Sequence, residues 1–380
     1  MQTYRVYFLL LSVILMGCSD DLNENKESID DLPSVDANYS LIVKNNDILS
    51  LINLNADADN ITLDPGISEF ENISLPVISY REGKEISIYK SQTDCSGVIS
   101  LYDFKNDGVR KTVVFDDLAN CELIVLALAH STNAIYIAYE VPGQGLKETG
   151  YYIRSIDTSN SEPEFVDIEL EKKPMQAVYS EDRVFILTED PEDDNKNAVI
   201  VLDTTTNELV VETNLGFEVQ RIFKASESEI IIGYADQHTV INSTSMNVLK
   251  SVRYTEGKEP RFADSECYFY YEKDNLYYAM PTDLNGTSYP NIPAVYDFES
   301  NTAILYYYEN FLTEQEQSNE FEIGNTSLVS YDSKNNLILI GYQKSEDPEK
   351  GGLLRIRPIP NPKFIDNIDL NGVPYQMYTD

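Results

Sequence analysis

Few side chains in this sequence are suited to covalent or metal chemistry. There are 4 cysteines and 2 histidines among 380 residues. His130 and His238 are more than a hundred residues apart and share no metal-ligand spacing with the cysteines, which disfavours zinc or haem ligation. Each is predicted to be a solvated polar residue. The sequence has no C-x-x-C, G-x-S-x-G, P-loop or H-E-x-x-H motif, so it assigns no catalytic residue, no metal site and no cofactor.

Carboxylates are so frequent that they indicate no particular site. The 64 Asp and Glu residues outnumber the 28 Lys and Arg residues and give a net charge of −36. Any two acids could therefore be paired as a general acid and base, and an enzyme is neither supported nor excluded. A surface this acidic repels phosphates, which disfavours nucleic acids and anionic bilayers as partners. Basic proteins and cationic ligands fit better.

The first residues predict export. Arg5 is the one charge in residues 1–17, and an apolar run follows it from Val6 to Met16. This run has the length of a signal-peptide core and is shorter than the ~20 residues of a membrane-spanning helix. We therefore predict a signal peptide over residues 1–17.

A lipid anchor is predicted at Cys18. The residues Leu15-Met16-Gly17-Cys18 resemble the lipobox of bacterial lipoproteins, which implies that Cys18 becomes the mature N-terminus and is acylated. The alternative is an ordinary secretory signal followed by an incidental cysteine. Ser19-Asp20-Asp21 is similar to the surface-export signal of Bacteroidetes-type lipoproteins. This implies an outer-membrane protein that faces the cell exterior, with a periplasm-facing anchor as the alternative.

The rest of the chain divides into a tether and one β domain. Residues 18–38 are polar, acidic and without periodicity, as expected of a flexible tether. Residues 39–380 alternate short runs rich in Val, Ile, Tyr and Phe with clusters of Asn, Asp, Gly and Ser, which is typical of strands and turns. Within them, the sequence from Asn55 to Asp59 has the alternate oxygen ligands of a calcium loop, but Gly66 replaces the final glutamate, so a turn is predicted.

A four-strand unit recurs between residues 174 and 262, at the roughly forty- to fifty-residue period of a propeller blade. Its third strand and turn, "VIVLDTTTNELV", and the junction "GKEPRF" resemble the YVTN family of surface-protein propellers. The resemblance implies an all-β fold, a β-propeller of four-stranded antiparallel blades. Its repeat disfavours a two-sheet sandwich.

Seven blades are predicted, with six as the alternative. Blade starts are expected near Pro76, Glu122, Pro174, Val219, Pro260, Thr326 and Pro374. Residues after Pro374 have room for one strand only, while residues 39–75 supply strands without a first strand. Joining the two would close the ring and remove its open edges.

The long connections predict which face binds. In a meander, the second-to-third loops and the fourth-to-first connections emerge on the same face, and here they include 140–149, 189–197, 281–293, 343–352 and 309–324. Such concentration favours a binding face. That face would be acidic, and the connection 309–324 is expected to contain a short helix. The candidate binding residues are Tyr289, predicted to be exposed, and Glu309, Glu314, Glu316 and Glu320.

The remaining cysteines have structural interpretations. Cys95 and Cys121 are predicted to lie on one face of the same blade, within bridging reach, where an oxidising location would allow a disulfide worth roughly 3 kcal/mol. Cys267 begins the apolar run "CYFYY" and is predicted to be a buried thiol.

The function predicted from the sequence is that of a binding or accessory lipoprotein with a monomeric propeller. It would act through the acidic loop face on a protein or a small molecule, as accessory subunits do beside nutrient-uptake complexes. One alternative is a propeller enzyme of the glycosidase or lyase type, with carboxylates of shifted pKa at the centre of the ring. The other is siderophore or haem capture, which needs a pocket of Arg, Lys or Tyr and would require Arg110, Arg154, Arg221, Arg253 and Arg261 to gather near the axis.

Overall fold

The computed structural model describes residues 37–379, except positions 59, 67, 93–95, 119–121, 144–147, 161–162, 194–195, 258, 261, 263–269, 273 and 283–286. These residues form seven antiparallel sheets. The prediction of an all-β, seven-bladed propeller is therefore confirmed, and the six-bladed alternative is wrong. Within the described residues, no helix has the length and apolar character that crossing a bilayer requires.

The strands follow one another in chain order from blade to blade. Blade 1 contains β1 (Ala37–Asn45), β2 (Ile48–Ala56) and β3 (Ile61–Asp64), with the short β4 (Ile73–Ser74) beside β2. Blade 2 contains β5 (Ile78–Glu82), β6 (Glu85–Ser91), β7 (Gly97–Asp103) and β8 (Gly108–Val114). Blade 3 contains β9 (Ile124–His130), β10 (Ala134–Val141), β11 (Gly150–Asp157) and β12 (Glu164–Leu170). Blade 4 contains β13 (Lys173–Ser180), β14 (Arg183–Asp190), β15 (Lys196–Asp203) and β16 (Glu208–Gly216).

The second half of the ring repeats the pattern. Blade 5 contains β17 (Val219–Ser226), β18 (Glu229–Tyr234), β19 (Gln237–Asn242) and β20 (Val248–Arg253). Blade 6 contains β21 (Tyr270–Glu272), β22 (Asn275–Pro281), β23 (Asn291–Asp297) and β24 (Thr302–Leu305). Blade 7 contains β25 (Ile323–Asp332), β26 (Leu337–Lys344), β27 (Gly351–Arg357) and β28 (Lys363–Leu370). The last strand is β29 (Val373–Thr379).

The ring closes as the sequence predicts. β29 pairs antiparallel with β1, from Tyr39 opposite Thr379 to Lys44 opposite Val373, and so becomes the innermost strand of blade 1. Two distant parts of the chain therefore share one sheet, and hydrogen bonds replace the edges that an open ring would expose.

Most predicted blade starts agree with the first strands, to within three residues. The exception is Pro260, since the described part of β21 begins at Tyr270. The first described strand begins at Ala37, two residues before the predicted domain boundary.

The turn after the third strand explains the repeated Asp and Asn in the sequence. In blade 4, Asp203 Oδ1 accepts the N–H groups of Thr205 at 2.9 Å and Thr206 at 3.2 Å. Asn207 then takes a left-handed conformation with φ 56°, which asparagine tolerates well. Asp103, Asn242 and Asp297 accept turn N–H groups in the same way. A short polar side chain is thus required at each of these positions.

Apolar layers hold neighbouring blades together. Between blades 3 and 4, for example, Ala127 and Ile153 pack with Ile186 and Ile200, and all four are almost completely buried. Similar layers join blades 1 and 2, 2 and 3, and 4 and 5, while one large cluster joins blades 5, 6 and 7. Burial on both faces of a strand explains why many strands are apolar at every position.

The two faces of the ring differ as the sequence predicts. We call the face with the second-to-third loops and the fourth-to-first connections the loop-rich face, and the opposite one the tight-turn face. Connections on the loop-rich face include 142–149, 282–290, 345–350 and 306–322, whereas turns such as 181–182 contain two residues. Connection 306–322 contains a 3-10 turn at Tyr308–Asn310 and a π-helical turn at Glu316–Glu320, which confirms the expected short helix.

A β-bulge recurs near the start of the first strand. One residue is skipped by the pairing in each of five blades: Leu126, Met175, Gln220, Gly324 and Tyr375. Bulges twist a strand locally and turn one side chain away from the regular alternation. Because first strands surround the axis, these bulges shape the loop-rich end of the central channel.

Candidate functional site

A cavity of about 910 Å³ lies on the axis of the ring. All seven blades contribute to its wall, through the first strands β5, β9, β13, β17, β21 and β29 and through Ser333 after β25. Three of the bulged residues, Leu126, Met175 and Tyr375, belong to the wall. Pockets of this size accommodate small molecules in many proteins. We call it the axial cavity.

The wall of the axial cavity is less acidic than the protein as a whole. Its described residues include four cations and three acids, namely Arg81, Lys84, Arg221 and Lys224 against Glu82, Glu227 and Glu272. The whole chain has 28 basic and 64 acidic residues. The sequence predicts that the loop-rich face is acidic. The wall of the axial cavity differs from this prediction, because its described cations outnumber its described acids.

An ion pair crosses the axis. Lys224 of blade 5 donates to Glu82 Oε1 of blade 2 at 2.6 Å and lies 2.8 Å from Glu227. Burial opposes the charge of Lys224, but the hydrogen bonds that it donates to both glutamates outweigh burial and raise its pKa. The ammonium group is therefore charged at neutral pH, and it joins two blades that are not neighbours.

Two neighbours of Glu82 on β5 make further contacts to distant blades. Tyr80 donates to Glu82 at 2.8 Å and accepts the N–H of Tyr179, in blade 4, at 3.1 Å. The Arg81 guanidinium lies 4.7 Å from the ring centroid of Tyr270, in blade 6, a distance suited to a cation–π interaction. Because these residues end β5, the contacts cross the channel near its tight-turn end.

Arg81 also holds the closing strand. Its Nη1 donates to the carbonyl oxygen of Met377 at 2.9 Å, and its guanidinium lies 4.3 Å from the ring centroid of Tyr378. Both residues belong to β29. Blade 2 thus contacts blades 1, 4, 5 and 6 through three consecutive side chains.

A Ser–His–Glu arrangement occurs between blades 2 and 3, but it is inaccessible. Ser87 Oγ lies 2.9 Å from His130 Nδ1, and His130 Nε2 lies 3.7 Å from Glu85 Oε2. Such groups activate a nucleophile where a substrate can reach it. Ser87 and His130 are 0% exposed, so no substrate reaches the hydroxyl. The arrangement is a buried link between two blades.

Burial keeps this histidine neutral. Desolvation, with a smaller effect from Arg110, lowers the pKa of His130 to about 3, while burial raises the pKa of Glu85. The prediction that His130 is solvated is wrong, because the strand-end position read as a turn is covered by the neighbouring blade.

His238 is also buried, which again contradicts the prediction. It is surrounded by aromatic rings, with centroid distances of 4.9 Å to Phe298, 5.5 Å to Tyr254 and 6.4 Å to Tyr296. Neither ring nitrogen has a hydrogen-bond partner among the described residues. Burial, and to a smaller extent Lys250, lowers its pKa to about 4.

Tyr289 is buried and not exposed as predicted. It is 7% exposed, its hydroxyl donates to Gln317 Oε1 at 2.8 Å, and its ring lies against Tyr308 at 4.8 Å. Tyr289 is therefore packed against connection 306–322, and its ring is unavailable for stacking on a ligand. Tyr277, Tyr278 and Tyr306 are buried as well.

The predicted glutamates lie on the outside of connection 306–322. Glu309, Glu314 and Glu320 are exposed. Glu316 is half-buried, and its Oε2 accepts the N–H of Thr313 at 2.6 Å and the Thr313 hydroxyl at 2.8 Å. One face of this connection is therefore acidic and solvated. Its other face is anchored by the buried residues Leu312, Gln317 and Phe321.

Several predictions fall outside the described residues. These concern Cys18, Cys95, Cys121, Cys267 and Arg261. Among the described residues, no group of three or more His, Cys, Asp or Glu side chains could hold a metal ion. The candidate calcium loop is a turn, in which Asp57 Oδ1 accepts the N–H of Asn60 at 2.7 Å.

The four of these arginines that the structure describes do not gather as siderophore or haem capture would require. Arg221 contributes to the axial wall. Arg110 and Arg253 belong to the outer strands β8 and β20. Arg154 is buried on β11, in ion pairs with Asp117 and Asp167.

Sequence reasoning missed Arg81, Glu82 and Lys224. A usable signal exists, since each is a charged residue inside a first strand, where an apolar residue would be expected. On a first strand, a charged side chain that points toward the axis stays outside the apolar layers between blades.

No protein-family model matches the chain, and no curated protein sequence matches it significantly. Among solved structures, a protein from Bacteroides uniformis that is provisionally described as a 6-phosphogluconolactonase superposes with a TM-score of 0.50 and 7% identity, over 91% of this chain and 99% of that chain. An apocarotenoid oxygenase from Synechocystis gives a TM-score of 0.47 and 9% identity, over 91% and 92%. Likeness at these identities shows the propeller fold alone.

Proposed function

We propose that this protein is a lipid-anchored binding protein that takes its ligand into the axial cavity from the loop-rich face. The observation that supports this most is the cavity of about 910 Å³, to which every blade contributes a wall. A large concave site with apolar, aromatic and a few charged groups is the usual form of a small-molecule site.

The direction of entry follows from the cross-axis contacts. Lys224, Glu82 and Arg81 span the channel near the tight-turn end, whereas Met175 and Gln176 lie at the start of β13, toward the loop-rich end. A ligand that enters from the loop-rich face therefore meets the bulged residues first and the charged residues last.

Binding fits the axial wall better than catalysis does. Glu82 accepts hydrogen bonds from Lys224 and Tyr80, and Glu272 accepts one from Tyr270. A general acid or base needs a carboxyl group that can exchange its proton with a substrate, and these carboxylates are already engaged. The Ser87 hydroxyl is buried away from the cavity.

The cellular setting is part of the proposal. The lipobox-like residues ending at Cys18 support lipid attachment, and Ser19-Asp20-Asp21 supports display on the outside of the outer membrane. The exposed acids Glu309, Glu314 and Glu320 would attract a basic partner beside the ligand entrance. A binding module in this setting would serve as an accessory subunit of a nutrient-uptake complex, an inference by analogy of fold and address.

Narrowing the entrance tests the axial site. Met175 is 43% exposed, so Met175→Trp adds bulk at the cavity wall without disturbing the core. The matched control is Val166→Trp, because Val166 is 48% exposed on the outer strand β12. Each purified protein is incubated with the small-molecule fraction of spent growth medium and examined by native mass spectrometry.

We expect the original protein and Val166→Trp to retain the same added mass, and Met175→Trp to lose it. An identical adduct on all three proteins would place binding outside the axial cavity. Conversion of an added compound into a product by the original protein would favour the enzyme alternative.

A further inference from the structure

A second cavity opens between blades 4 and 5 on the loop-rich face. Its volume is about 530 Å³, and its wall includes residues of β13, β14, β15 and β17 with the connection between β16 and β17. Met175 and Gln176 belong to both this cavity and the axial cavity. We call it the interblade groove, and it runs outward from the entrance of the axial cavity.

Local backbone geometry opens the groove. The bulges at Met175 and Gln220 lie in adjacent blades, at the same end of β13 and β17. Only residues 217–218 connect β16 to β17. Gly216, the last residue of β16, has φ 81°, and Glu218 within the connection has φ 63°. Phe217 is held outward and is 53% exposed.

Two of the amide side chains in the groove are already hydrogen-bonded to the backbone. Asn197 Oδ1 accepts the N–H of Val219 at 3.0 Å, and its amide group donates to the carbonyl of Thr188. Gln176 Oε1 accepts the N–H of Ile222 at 2.9 Å. A sugar needs several such groups for its hydroxyls, so the engaged amides disfavour a carbohydrate here.

Two carboxylates remain for a ligand. Glu189 and Glu218 contribute to the groove wall, and neither has an ion-pair partner among the described residues. The described wall contains no Lys or Arg. Exposed apolar surface is provided by Phe217 and Met175. The groove therefore combines negative charge with an aromatic ring and a thioether, which suits a cation attached to an apolar chain.

We propose that the interblade groove binds a basic segment of a partner protein. An Arg or Lys side chain of that segment lies between Glu189 and Glu218, and an adjacent apolar side chain packs against Phe217 and Met175. A second copy of this chain, with its net charge of −36, is repelled by the groove. This deepens the proposed binding role by naming a partner class.

Peptide binding tests the proposal without using the axial ligand. The probe is a fluorescein-labelled octapeptide of alternating leucine and arginine, capped at both ends, and the second probe replaces arginine by uncharged citrulline. Fluorescence anisotropy is measured for the original protein and for the double variant Glu189→Gln with Glu218→Gln. The control double variant, Glu164→Gln with Glu208→Gln, removes two exposed acids from the outer strands β12 and β16.

We expect the groove variant to bind the arginine peptide roughly tenfold more weakly, as two partly exposed ion pairs would give, and the control to change less than about twofold. Phe217→Ala is expected to weaken binding as well, unlike Leu209→Ala on β16. Equal weakening in the groove and control variants, or equal binding of both peptides, would overturn the proposal. Met175 belongs to both cavities, whereas Glu189 and Glu218 lie outside the axial wall. Binding of the axial ligand is therefore also measured on the groove variant, so that either proposal can fail alone.

Discussion

Single residues in the interior carry polar groups that water would otherwise bind. Arg154 is 1% exposed, and it donates to Asp117 and Asp167 on both sides while its guanidinium stacks on Phe115 and Phe165. Hydrogen bonds of this kind satisfy a buried charge. His238 is different, because both of its ring nitrogens lack partners among the described residues. It should therefore favour unfolding under acidic conditions.

The pH dependence of stability follows from His238. Its pKa is lowered from 6.5 to about 4, so the unfolded chain binds more protons between these values, and stability falls as the pH drops through that window. His238→Phe removes this effect and keeps the ring packing. Urea unfolding, followed by tyrosine fluorescence, should show a gain on the order of 2 kcal/mol near pH 5 relative to the change near pH 7.

Near neutral pH, the effect of His238→Phe on the free energy of unfolding should be small or stabilising, because an apolar ring replaces an unpaired polar one. Curves of stability against pH that are parallel for the original protein and His238→Phe would contradict the assignment. His130, whose pKa is lowered to about 3, also makes the free energy of unfolding fall as the pH decreases. This contribution is the same in the original protein and in His238→Phe.

Strands and turns were the level at which the sequence was most informative. The signature "VIVLDTTTNELV" predicts a third strand and its turn because Asp203 and Asn207 are required by the local hydrogen bonds and by the left-handed backbone. Such requirements act over five residues, and the side-chain cap of the turn recurs in blades 2, 5 and 6. They identified the blades and, through the lengths of the connections, the loop-rich face.

Sequence reasoning failed where a residue's environment comes from another blade. Tyr289 follows a polar loop, and its burial depends on Gln317 and Tyr308 in a separate connection. Lys224 and Glu82 meet only because the ring brings blades 2 and 5 to a common axis. No local pattern contains that information, since it depends on the number of blades and on closure.

The closing strand gives a prediction for a single element. Met377 of β29 is 0% exposed, pairs with Leu41 of β1 and accepts a hydrogen bond from Arg81. Met377→Ala should lower the free energy of unfolding by about 2–4 kcal/mol, because it leaves a cavity at the closure. Met175→Ala, at an exposed position, should change it by less than about 0.5 kcal/mol.

Urea unfolding with far-ultraviolet circular dichroism measures both variants. A loss for Met377→Ala no larger than that for Met175→Ala would mean that β29 contributes little to the stability of the ring. A loss confined to part of the transition would instead show that blade 1 unfolds separately.

At the scale of the whole molecule, membrane attachment and ligand binding are proposed to depend on different parts of the chain. Attachment is proposed at Cys18, before the tether, and ligand contact at the axial cavity within the ring. Cys18→Ser should release the protein into the soluble fraction of lysed cells, since the acyl chains would be missing. Fractionation followed by immunoblotting measures this, and continued sedimentation with the membranes would refute lipid attachment. Ligand binding by the purified ring should be unaffected.

The contacts across the axis have a consequence for how the ring responds to a ligand. Glu82 and Lys224 are 142 positions apart in sequence, yet their ion pair connects blades 2 and 5 across the axis. The contact of Arg81 with Tyr270 connects blades 2 and 6 in the same way. Tilting a single blade would lengthen or break these contacts across the axis. The ring should therefore be rigid at its tight-turn end and keep the same diameter there before and after a ligand binds, so that the closed end of the cavity selects ligands by size and shape without adapting to them.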